Sequence, residues 1–85
     1  MSRIKRIKKL LILELNPSVL KIKDNSILHK GHNQFDGLDE THLYVEIKSK
    51  IFNNITKIES HRLINSIIQE EYKKGLHSLV IKIIN

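Results

Sequence analysis

Between Thr56 and Ile83 the sequence encodes a helix with its own start and stop signals and, almost at once, a strand. Thr56 and Glu59 stand in the S/T-x-x-E relation of a capping box, in which each side chain satisfies a backbone N–H that the first helical turn leaves open. Ile64, Ile67, Ile68 and Tyr72 recur at helical spacing and mark the stripe expected to be buried. Glu70 precedes Lys74 by four residues, the favourable orientation for an exposed ion pair, and Lys73 and Lys74 suit the negative end of the helix dipole. Gly75 supplies the left-handed residue on which such a helix ends. From His77 onward, Leu79, Ile81 and Ile83 alternate with Ser78, Val80 and Lys82, which is the period of a strand. A strand reached through a helical crossover can pair in parallel with one that precedes the helix, and this narrows a chain of 85 residues to a few mixed-sheet folds.

The preceding strand runs from His42 to Lys48, with Leu43, Val45 and Ile47 inward and His42, Tyr44, Glu46 and Lys48 outward. Ahead of it, Leu20 and Ile22 alternate with Val19, Lys21 and Lys23 from Ser18 to Asp24, a strand whose outer lysines discourage pairing with another chain. Asn25 to Thr41 connects the two and is far longer than a hairpin needs; connections of that length in a compact domain are usually functional or disordered. At the N-terminus Ile4, Ile7, Leu11 and Leu15 share one helical face, with Arg3, Lys5, Arg6, Lys8 and Lys9 largely on the other. Pro17 lacks an amide donor and biases Asn16 away from helical angles, so this helix ends near Leu15. Ile51 to Asn54 reads as a short turn. The expected fold is α+β, in the order helix, strand, strand, turn, helix, strand: a small α/β sandwich whose three-stranded mixed sheet carries its helices on one face. Residues 1–85 form a single domain, because a chain this short buries only about 60% of its unfolded surface and its apolar residues, almost all Ile and Leu, suffice for one core.

No cysteine is present, which excludes a disulfide framework, a cysteine zinc site and a redox thiol. The apolar run Leu10 to Leu13 behind a basic start imitates a secretory signal, but Glu14 interrupts it and no small-residue cleavage pattern follows, so it reads as a helix of the mature chain. Nothing approaches the length of a membrane span, and a cytoplasmic protein without membrane insertion is expected. A net charge of +6 favours acidic partners in general: nucleic acid, a membrane surface or an acidic protein patch. Arg3, Lys5, Arg6, Lys8 and Lys9 are the candidate phosphate or lipid-headgroup contacts, or else a solvated face. Catalytic readings fare poorly: no Ser-His-Asp, Cys-His or phosphate-loop spacing can be assembled. Glu70 and Glu71, adjacent on a helix, point in different directions instead of flanking one substrate. No enzymatic activity is expected. Five histidines remain, among them His29-Lys30-Gly31-His32 in the long connection and His77 at the last strand. Imidazole ligates transition metals, and the glycine would let both connection histidines face one ion. A solvated loop, or a plain divalent-ion site, accounts for the same residues; His42 reads as structural.

The order His61-Arg62, Asn65, Glu70-Glu71, a short break, then His77-x-Leu79-x-Ile81 resembles the signature of the BolA family. Asp24-Asn25-Ser26 resembles the family's Asp-Glu-Ser turn, Glu40-Thr41-His42 the start of its second strand, and Ser49 with Phe52 the segment just after. Ser60 stands where the family usually has Arg, Asn25 where it has Glu, and Asn54 where it has Gly, Asn being the next-best residue for a left-handed turn. The resemblance implies a fold related to the type II K-homology fold, a monothiol glutaredoxin as partner, and a [2Fe-2S] cluster shared with that glutaredoxin and glutathione. By the same resemblance His77 and His29 would be ligands, with His32 as the fallback, and His61, Arg62, Leu76 and His77 would face the partner. The donor chemistry is compatible: such a cluster takes four terminal ligands, a cysteine-free chain cannot provide four thiolates, and two histidines on one iron would raise the reduction potential. For His61 and Arg62 the alternative is a helix flank on which Arg62 pairs with Glu59 one turn earlier. BolA-like proteins are also implicated in transcriptional control, which makes a nucleic-acid-binding regulator the alternative function. Against it, the Gly-x-x-Gly clamp of K-homology domains is missing, Asn53-Asn54-Ile55-Thr56 being the nearest turn, and stacking aromatics are scarce. Alone, the chain is expected to be a monomer or weak homodimer.

Overall fold

The computed structural model describes residues 2–25 and 41–84. Helix α1 spans Arg3–Leu15, strand β1 Val19–Asp24, strand β2 His42–Lys48, a 3-10 turn Lys50–Asn54, helix α2 Lys57–Ile67, helix α3 Gln69–Lys73 and strand β3 Ser78–Ile83. Strand β2 is central, antiparallel to β1 and parallel to β3, so the helical crossover does deliver a parallel strand. The register sets Val45 between Ile22 and Ile81, and Ile47 between Leu20 and Ile83. This row of inward residues shares one core with Ile7, Leu11 and Leu15 of α1, Ile64 of α2 and Ile68 at its end. The other sheet face carries Lys21, Lys23, Tyr44, Glu46, Val80 and Lys82, and no helix among the described residues covers it.

Local signals explain most boundaries. Ser2 accepts a hydrogen bond from the Lys5 N–H and starts α1; Asn16, in the left-handed region at φ 43°, ends it with its N–H on the Ile12 carbonyl. The buried Ser49 hydroxyl donates to the Leu15 carbonyl at 2.6 Å and accepts from the Ile51 N–H, tying the end of α1 to the start of the 3-10 turn. Asn16 is the only non-glycine with positive φ among the described residues, so the left-handed turn expected at Asn54 is not made. The 3-10 turn instead runs directly into extended backbone at Ile55. The capping box of α2 is complete: Glu59 N–H donates to the Thr56 hydroxyl at 3.1 Å, and Thr56 N–H to the Glu59 carboxylate at 3.0 Å. These bonds from Thr56 hold the Glu59 carboxyl below its usual range. Thr56→Ala should cost about 1 kcal/mol, seen as a lower urea midpoint with an unchanged m-value.

The single helix expected from Thr56 to Gly75 is broken at Ile68, whose φ −105° and ψ 15° leave the helical region. Two successive β-branched residues, Ile67 and Ile68, weaken the helix here. Ile68 is fully buried, and the Glu71 N–H donates to its carbonyl three residues back, closing a tighter turn. Glu71, seven residues after buried Ile64, therefore points into the core, while Tyr72 turns outward and donates its hydroxyl to the Asn65 side chain at 2.8 Å. Lys74 has left the helix as its cap, so Glu70 pairs with Lys73 at 3.5 Å and not with Lys74. Gly75 adopts φ +116°, a region closed to most L-residues, and a Cβ there would meet an Arg3 guanidinium nitrogen at 3.3 Å.

Candidate functional site

His77 stands just before β3, at the edge of the sheet where β2 begins. Its N–H and that of Ser78 both donate to the Thr41 carbonyl, at 2.8 and 3.1 Å, while the Asn25 N–H donates to the His42 carbonyl at 2.7 Å. Asn25 and Thr41 are the last and first described residues on either side of the connection that contains His29 and His32. Both are bonded into the row that fixes the His77 backbone. The His77 side chain is exposed, and its ring meets that of half-buried His42 edge to face, with centroids 5.5 Å apart. The Thr41 hydroxyl lies 3.0 Å from His42 Nδ1. The result is one exposed imidazole on a rigid backbone with a second imidazole against it. His29 and His32 themselves lie outside the described residues. Among the described residues no group of three or more potential metal ligands comes together, so a cluster of four terminal ligands would need donors from beyond them.

A second surface lies on α2. Lys57, Ile58, His61, Arg62 and Asn65 line a shallow depression in which Ile58 is 65% exposed. The alternative Arg62–Glu59 pair is not formed; the Glu59 carboxylate accepts from the Thr56 N–H instead. Arg62 is exposed, without an ion pair among the described residues, and acts on Glu59 only at longer range. Leu76, expected on the partner surface, is instead part of the core: the chain reverses at Gly75 and Leu76 is only 3% exposed.

The basic N-terminal set also divides. Arg6 grips the Glu71 carboxylate with Nε and Nη2, both at 2.8 Å, while Arg3 adds Nε at 3.1 Å and reaches the Lys74 carbonyl with Nη2 at 2.8 Å. Glu71 is 3% exposed, and the side chains of Arg3 and Arg6 are 12% and 34% exposed. Hydrogen bonds from Arg6 and then Arg3 hold the Glu71 carboxyl below the usual carboxylate range against the opposing effect of burial. Arg3 and Arg6 are thus structural cations, which removes them from the expected nucleic-acid surface; Lys5, Lys8 and Lys9 remain exposed. The periodicity that marks Ile64 and Ile68 also marks Glu71, and an acidic residue on an apolar stripe is the one sequence signal for this cluster.

The family model described as BolA-like protein matches residues 11–85. The chain is 36% identical over 83 residues to an uncharacterized protein in the cobS 5′ region of Sinorhizobium sp, covering 96% of this chain and 89% of that protein. It is 40% identical over 82 residues to the chloroplastic protein BOLA1 of Arabidopsis thaliana, covering 94% of this chain and 51% of that one. Over 84 residues it is 39% identical to the chloroplastic/mitochondrial SufE-like protein 1 of the same plant, of which it spans 23%. The chain therefore spans about half or less of these two plant relatives. Among solved structures, the BolA domain of SufE1 from Arabidopsis thaliana superposes with a TM-score of 0.85 at 38% identity, covering 98% of this chain and 91% of that one. BolA1 from the same plant gives 0.85 at 36% identity, with 98% and 90% covered.

Proposed function

The chain belongs to the BolA-like family, and from that premise we propose that it is a non-catalytic iron-sulfur assembly or trafficking partner that binds a monothiol glutaredoxin and shares a [2Fe-2S] cluster with it. The observation that carries this reading is the exposed His77 imidazole, on a backbone held by the Thr41 carbonyl beside Asn25 and Thr41, the described residues that flank the connection bearing His29 and His32. His77 is the proposed ligand from the described residues, with His29, or else His32, as the second. A cysteine-free chain has no thiolate to offer, so the thiolates are assigned to glutaredoxin and glutathione. When bound, the cluster would supply transferable iron and sulfide; this chain's part is to present imidazole from a rigid edge and to contribute no thiolate of its own. The α2 face of Lys57, His61 and Arg62 around exposed Ile58 is the proposed docking surface.

Reconstitution of the full chain with a monothiol glutaredoxin, iron, sulfide and glutathione tests the ligand. The expected product is a heterocomplex whose visible circular dichroism differs from that of the glutaredoxin alone, and His77→Ala should lose that spectrum while keeping its thermal melt, because the side chain is exposed. A His77→Ala variant with unchanged spectrum and complex formation would sink the assignment.

A further inference from the structure

Lys5, Lys8, Lys9, Ile12 and Leu13 share the outward face of α1. The inward face is committed: Ile7, Leu11 and Leu15 are buried, and Arg3 and Arg6 clamp the first turns to Glu71. The five outward residues therefore sit on a helix whose position is set along its whole length. Leu13 is 73% exposed and Ile12 47%, and none of the three lysines has an ion pair among the described residues. Glu14, the one acidic residue of α1, lies far round the helix and lines a different depression with Asn16, Pro17 and Lys50. The family model begins at residue 11, so the three lysines precede the segment it matches.

We propose that this face docks the protein, peripherally and reversibly, on an anionic lipid surface. Three unpaired lysines would suit any polyanion; the two aliphatics decide among them. A phosphodiester backbone has no apolar surface for Ile12 and Leu13, whereas a bilayer interface takes ammonium groups at its phosphates and aliphatic tips just beneath. A protein partner would need acidic groups matched in position to all three lysines, while a fluid anionic interface brings its phosphates to them without such matching. The contact is adsorption: no helix among the described residues is long and apolar enough to cross a membrane. It does not depend on the glutaredoxin reading, which uses His77 and α2.

Co-sedimentation of the full chain with phosphatidylcholine vesicles, and with vesicles in which phosphatidylglycerol replaces part of the phosphatidylcholine, tests the proposal. The protein should bind the anionic vesicles and not the neutral ones. K8Q/K9Q should weaken binding by roughly fivefold per lysine, and I12Q/L13Q, which keeps every charge, by about fivefold or more. All four positions are exposed, and thermal melts of both variants should match the parent. Absence of binding to anionic vesicles overturns the proposal and points to an acidic protein surface. Vesicle binding that I12Q/L13Q leaves unchanged also overturns it; duplex DNA binding lost in K8Q/K9Q would then assign the lysines to nucleic acid.

Discussion

Glu71→Ala should destabilise the protein by about 3 kcal/mol, the lower end of what removing one partner of a buried ion pair costs. The lower end applies because Arg6 keeps a third of its side chain in water, whereas Arg3 and the carboxylate do not. The loss comes less from the missing attraction than from the guanidinium of Arg3, and in part that of Arg6, left away from water without its anion. For that reason the triple variant R3M/R6M/E71M should recover most of the loss, since replacing a whole buried ionic cluster by apolar groups of similar size is often neutral. Urea denaturation of parent, single and triple variants measures both effects; a triple variant as unstable as Glu71→Ala would show that the cluster contributes by attraction. The pH dependence follows from the same geometry. The folded carboxyl lies below its unfolded value, so its contribution is fully present above the unfolded pKa, about 4.3, and is lost as pH falls through the folded one. Urea midpoints between about pH 6 and pH 3 should fall steeply in the parent and less so in Glu71→Gln. Glu59 is shifted in the same direction but is unchanged between the two proteins, so the difference isolates Glu71.

Ile47→Ala should cost about 3–4 kcal/mol, within the range for deleting buried aliphatic side chains. Ile47 is fully buried in the central strand, flanked across the sheet by Leu20 and Ile83. Neither β1 nor β3 can close the space, since each is held by its own ladder to β2, and the cavity persists. A domain of 85 residues has a total stability of roughly 4–13 kcal/mol, so this one change removes a large part of it. The expected result is a thermal midpoint lowered by more than 10 °C, at roughly 4–8 °C per kcal/mol for a domain this size. A shift of under 4 °C would mean that the sheet relaxes around the missing atoms.

The elements were legible in the sequence because their causes are local. The capping box at Thr56 and Glu59 is satisfied within four residues, Asn16 and Pro17 stop α1 by their own backbone preferences, and the alternation of Leu43, Val45 and Ile47 needs only a sheet face to bury. The helix–strand order at the end of the chain was enough to expect a parallel pairing of the last strand with an earlier one, though not that the earlier one is β2. Of the candidate site, only positions along the chain were legible: His61 and Arg62 stand on α2 as expected, while His77, expected to open the last strand, lies one residue before β3.

What the tertiary structure alone decided involves residues far apart in sequence. Arg3 and Arg6 could not be separated from Lys5, Lys8 and Lys9 by composition or period; they differ because α3 brings Glu71 within hydrogen-bond reach across 68 and 65 residues. The break at Ile68 turns Tyr72 outward, off the stripe expected to be buried, and the reversal at Gly75 sends Leu76 into the core instead of toward a partner. Local backbone preference is settled by neighbours a few residues away and so can be read from the chain. The burial and pairing of a long polar side chain depend on which helix ends meet, and that is settled only when the whole core closes.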